Sequence, residues 1–65
     1  LYFESSRLIR EIKIFDSQGR IVHKSSPLGN NFKIDIHNLP GAIYIYHLKT
    51  EDDLIIKGKV IIMQN

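Results

Sequence analysis

Apolar side chains recur every second residue along most of this chain, a period that suits extended strands with one buried face and does not suit a helix. Ile12 and Ile14 alternate with Glu11 and Lys13, and Phe32, Ile34 and Ile36 alternate with Lys33 and Asp35. Near the end, Leu54, Ile56, Gly58, Val60 and Ile62 fall on one side and Lys57 and Lys59 on the other. That segment predicts one core face and one solvent face. Between them, Ala42, Tyr44, Tyr46 and Leu48 share one parity while Ile43, Ile45 and His47 share the other. With apolar groups on both parities, this strand is expected to be central and covered on both faces.

The breakers between these runs define the connections. Asp16-Ser17-Gln18-Gly19 has the chemistry of a short hairpin loop: the aspartate caps the turn through its side chain, and the glycine accepts a left-handed backbone that a Cβ penalises. Ser25-Ser26-Pro27-Leu28-Gly29-Asn30-Asn31 reads as a polar linker and Glu51-Asp52-Asp53 as a solvated acidic turn. About five strands result, with no repeat, no low-complexity tract and no helix signal.

At 65 residues the chain makes one domain at most, burying only about 60% of its unfolded surface. It has no cysteine, which excludes disulfides and thiolate metal or redox sites. No apolar run approaches the ~20 residues of a membrane-spanning helix. A net charge of +2 is too small to imply a nucleic-acid or membrane partner. The sole methionine is Met63, so the sequence reads as a piece of something longer. Leu1-Tyr2-Phe3-Glu4-Ser5-Ser6 resembles the tail of a protease-cleavable purification tag, with Glu4 where Gln ordinarily stands. Residues 1–6 are accordingly expected to be a tag remnant and 7–65 the domain, although Leu1, Tyr2 and Phe3 have the character to add to an open sheet edge.

Little in the sequence supports catalysis. His23, His37 and His47 lack ligand-like spacing, and Glu51, Asp52 and Asp53 are too closely set for a calcium loop. No serine sits in a nucleophile elbow and no carboxylate pair has a pocket-forming length of chain around it. The expectation is a non-enzyme with no catalytic, cofactor or metal site. Tyr44 and Tyr46 with Lys57 and Lys59 would suit an aromatic, basic binding face; the competing reading turns Tyr44 inward, its hydroxyl on backbone at a corner, as in immunoglobulin-like sandwiches.

Taken in order, I-x-I-x-D-x-x-G-R-x-V from Ile12, then I-D-I-x-x-L-P with Gly41 and Tyr44, and the closing Lys57-Gly58-Lys59-Val60-Ile61-Ile62, resemble the carboxy-terminal sorting domain of the type IX secretion system of Bacteroidetes. The resemblance spans nearly everything from Ile12 to Ile62. It implies an immunoglobulin-like antiparallel β-sandwich that carries a cargo through the periplasm and across the outer membrane by a translocon. A sortase then removes the domain and joins the cargo to the cell surface. The residues it implies for recognition are Asp16 and Gly19 in the hairpin, Leu39, Gly41 and Tyr44 in the L-x-x-G-x-Y element, and Lys57, Lys59, Val60 and Ile61 in the terminal strand. Departures are Ala42 in place of the usual glycine, an ending of Met63-Gln64-Asn65 instead of a basic residue, and no Asn-Pro opening strand.

The missing opening makes the sandwich look amino-terminally truncated. Uncovered apolar side chains forgo about 1.5–3 kcal/mol each, so a homodimer or strand-exchanged oligomer is expected, built on Ile12, Ile14 and the apolar face of residues 54–62. Two rival readings remain: an adhesion or carbohydrate-binding module, which needs Tyr44 and Tyr46 exposed as a flat patch, and a nucleic-acid-binding barrel, which Asp16, Asp35, Glu51, Asp52 and Asp53 argue against.

Overall fold

The computed structural model describes residues 1–35 and 38–63. Its five strands are β1 (Tyr2–Phe15), β2 (Ile21–Ser25), β3 (Gly29–Lys33), β4 (Ala42–Thr50) and β5 (Ile55–Ile62). All pair antiparallel in one open sheet ordered β2-β1-β4-β5, with β3 on β1 as well. The all-β expectation and its five strands hold, in an arrangement consistent with a piece of an immunoglobulin-like sandwich.

β1 is the spine. Its second half pairs with β2 on one side and β4 on the other, and its first half pairs with β3. Were β1 straight, Phe3 and Ile14 would lie about 36 Å apart at ~3.3 Å per residue. Yet Phe3 meets Tyr46, the residue opposite Ile14, with ring centroids 5.0 Å apart. The strand must therefore fold back. Register shifts between Glu4 and Ile9 and between Ile9 and Glu11 supply the bend, since bulges kink a strand and turn it from one layer toward another. The second shift also explains why Ile9, Ile12 and Ile14 are all fully buried despite the three-residue step from Ile9 to Ile12.

The core comprises Ile9, Ile12, Ile14, Ile34, Tyr44, Leu48 and Ile62, flanked by Leu1, Phe3, Val22, Phe32, Leu39, Tyr46 and Val60. Phe3 stacks on Phe32 at 5.3 Å and stands edge-on to Tyr46. Residues 1–6, read as a tag remnant, are thus paired with β3 here: Tyr2 opposes Lys33, Phe3 opposes Phe32, and the Leu1 carbonyl accepts from the Ile34 amide at 2.7 Å.

Three expectations need correction. Ile12 and Ile14 are not an uncovered face for a dimer, because the folded-back sheet buries them within one chain. β4 is central but covered on one face only: Ile43 is 47% exposed and Ile45 is exposed too, since among the described residues no layer lies over them. The polar linker is shorter than expected, with Gly29, Asn30 and Asn31 in β3 against β1. Pro27, lacking an N–H for the ladder, and Leu28 at φ 46° separate β2 from β3.

Candidate recognition surface

The nine motif residues fall into two groups. At one end of the sheet, the Asp16 carboxylate organises the β1–β2 hairpin: Oδ1 accepts from the amides of Gln18 (2.9 Å) and Arg20 (3.0 Å), and Oδ2 accepts from Arg20 Nε at 2.8 Å. The Arg20 amide, with the Arg20 guanidinium and Gln18 amide behind it, holds the Asp16 carboxyl below its ordinary value against an opposing desolvation effect. Gly19 takes φ +83° with open space around it, so its need is for backbone conformation and not for room.

Beside this hairpin runs the bend into β4. The Tyr44 ring is 3% exposed and its hydroxyl donates to the Pro40 carbonyl at 2.7 Å, the inward, corner-forming arrangement. Leu39 packs on the core, and Gly41 is exposed at the bend. Asp16, Leu39 and Tyr44, distant in sequence, line one 270 Å³ crevice together with Arg20, Val22 and Pro40.

The second group lies on β5. Lys57, Lys59 and Ile61 point to the outer face and are exposed, while Val60 is half-buried on the core side. Across the ladder, Lys57 opposes His47, Lys59 opposes Ile45 and Ile61 opposes Ile43. On the same face Lys13 opposes both His47 and Lys24, so one row of the sheet is basic, while toward the hairpin end Phe15, Ile43, Ile45 and Ile61 make the face apolar around Lys59. β5 is an edge strand whose only partner among the described residues is β4.

The acidic turn is more ordered than a solvated loop. Arg7 bonds Asp52 and Arg10 bonds Asp53, each at 2.6 Å. The fully buried Thr50 donates its hydroxyl to Asp52 and accepts from the Leu54 amide at 3.0 Å. That Thr50 hydroxyl, aided by Arg7, lowers the Asp52 carboxyl below its ordinary value despite desolvation. Nothing in the sequence links Arg7 and Arg10 to a turn more than forty residues away; only the fold-back of β1 brings them together.

Of the histidines, the His23 ring nitrogen lies 3.2 Å from Ser25 Oγ and His47 tilts against Phe15 at 4.7 Å, while His37 lies outside the described residues, as do Gln64 and Asn65. Among the described residues no three His, Asp or Glu side chains cluster as metal ligands, and no helix is long and apolar enough to cross a membrane. Buried Tyr44 and half-buried Tyr46, the latter edge-on to Phe3, form no flat exposed aromatic patch of the kind a carbohydrate-binding reading requires.

The sequence profile of one family, described as the secretion system C-terminal sorting domain, matches residues 1–63, a span that includes residues 1–6. No curated protein and no solved structure shows a significant match.

Proposed function

The chain belongs to the family of type IX secretion C-terminal sorting domains, which are sorting signals and not enzymes, and from that premise we propose that the translocon reads the free edge and outer face of β5. Membership itself makes the domain an export signal for a secreted or surface-attached protein. The finer reading divides the motif. Asp16, Gly19, Leu39, Gly41 and Tyr44 hold the domain in shape, and Lys57, Lys59 and Ile61 make contact, with Val60 seating the strand. Passage through the periplasm, sortase cleavage and attachment of the cargo follow in this reading.

The observation that carries it is the position of β5. It is an edge strand that carries four of the nine motif residues and offers unpaired backbone groups together with exposed charged and apolar side chains, and a sheet edge is a ready template for another protein's strand. A reporter fused to this domain in a type IX-competent bacterium tests it. Export is expected to fail when residues 57–65 are removed, and to fall with K57E/K59E while circular dichroism shows the domain still folded. Equal export of all three forms would overturn the proposal.

A further inference from the structure

Residues 54–62, Leu-Ile-Ile-Lys-Gly-Lys-Val-Ile-Ile, read nearly the same in both directions about Gly58. Set antiparallel to a second copy around a two-fold axis at Gly58, each side chain meets its own kind: Leu54 faces the partner's Ile62, Ile55 the partner's Ile61 and Ile56 the partner's Val60, each twice by symmetry. Four of these six apolar positions are exposed in the single chain, Ile61 the most at 61%. Moving the axis by one residue along the strand sets lysine against isoleucine. A shift of an odd number in the pairing sends core-facing side chains to the wrong side of the sheet. Of the registers that overlap most of this segment, the one centred on Gly58 alone keeps apolar with apolar.

We infer that the free edge of β5 pairs with β5 of a second copy in this register, joining two sheets into one continuous sheet, and that lysine repulsion keeps the association weak. The repulsion is specific. Lys57 faces the partner's Lys59 twice across the axis, and neither lysine has an acidic partner among the described residues to offset it. The area is small as well. An eight-residue strand edge about 27 Å long and ~10 Å thick presents on the order of 300 Å² per copy, against roughly 800 Å² in a stable complex. Six apolar cross-strand pairs against two like-charge pairs of similar individual size still leave the balance on the side of pairing. A dimer that forms only at high protein concentration, and better when charge is screened, is the result. This goes beyond the sorting reading and does not rest on it.

Sedimentation equilibrium of the 65-residue chain tests the inference. Raising salt from ~0.01 M to ~1 M shortens the screening length from about 30 Å to about 3 Å and is expected to strengthen association roughly 2- to 30-fold. K57E turns both repulsive contacts into Glu–Lys pairs and is expected to tighten the dimer by about 10-fold or more at low salt, while K57E/K59E restores like-charge opposition and the weak association. Because the chain has no cysteine, a mixture of K57C and K59C chains reports the register directly, forming the mixed disulfide in preference to either homodimer. Monomer in every form, tighter wild-type association at low salt than at high salt, K57E no tighter than wild type, or homodimeric cross-links predominating would each overturn it.

Discussion

Gly58→Ala adds one methyl group to a strand, a change that elsewhere stabilises by about 0.4–1 kcal/mol through the entropy of the unfolded chain. Here the sign reverses. A Cβ on Gly58 would fall within the ring of Tyr46, among its Cζ, Cε2 and Oη atoms, because Tyr46 stands directly opposite in the register and lays its ring over the glycine, a cross-strand cover that compensates a strand glycine. The ring has no easy retreat, since Phe3 abuts it with planes inclined at 72°. Overpacking of this kind costs about 1–3 kcal/mol, and pushing the ring off Phe3 forfeits about 0.5–1.5 kcal/mol more. After the entropic gain is subtracted, G58A should destabilise by roughly 0.5–4 kcal/mol in equilibrium urea unfolding. In a Tyr46→Ala background the obstruction is gone, and the same substitution should be neutral or slightly stabilising, so the double-mutant cycle gives a coupling of about 1.5–4.5 kcal/mol. An equal cost in both backgrounds, or a G58A protein as stable as its parent, would refute the ring-over-glycine account.

Two further predictions concern the hairpin end and the acidic turn. Tyr44→Phe removes the donor to the Pro40 carbonyl; because Pro40 is exposed and water can replace the hydroxyl there, the loss in urea unfolding should be only about 0.5–1 kcal/mol, against ~3–5 kcal/mol for Tyr44→Ala. Asp16 and Asp52 both have folded-state values lowered from 3.8, so the unfolded chain binds more protons as pH falls below that value and their stabilisation, complete above it, is lost toward the lowered folded values. Acid titration of D16N/D52N should show a shallower fall in stability through that window than the parent, and an unchanged acid limb would count against the hydrogen bonds described.

Where local chemistry decides the structure, the sequence is readable: the Asp16–Gly19 turn, the inward Tyr44 and the alternation from Gly58 to Ile62 each follow from residues near one another, while Leu54 and Ile56, expected on the core face, are exposed. Failures come from events between distant segments. The bulge that lets Ile9 join Ile12 and Ile14 breaks the period of two, and that break was visible as the three-residue step between them, a signal for the bend in β1. The apolar character of Leu1, Tyr2 and Phe3 marks them for a sheet edge but not for β3 in particular, and no signal marks the clamp of Arg7 and Arg10 on the acidic turn. Ile43 and Ile45 misled in the other direction. Apolar residues on both parities of β4 match a strand buried on two faces, and the exposed side is revealed only once no second layer is found over it. The resemblance groups all nine motif residues as recognition; that Tyr44 is buried and that β5 lies at a sheet edge, on which the proposed division between them rests, is visible only in the fold.

The central place of β1 bears on when this domain comes into being. Its side chains Ile12 and Ile14 find their opposite numbers in Leu48 and Tyr46, far along the chain, so the central pairing of the sheet waits for β4. Closure of such long loops before any reward places assembly in the slow, milliseconds-to-seconds regime of sheet proteins. A tag built this way acquires its readable form in a single late step, when β4 brings β5 with it.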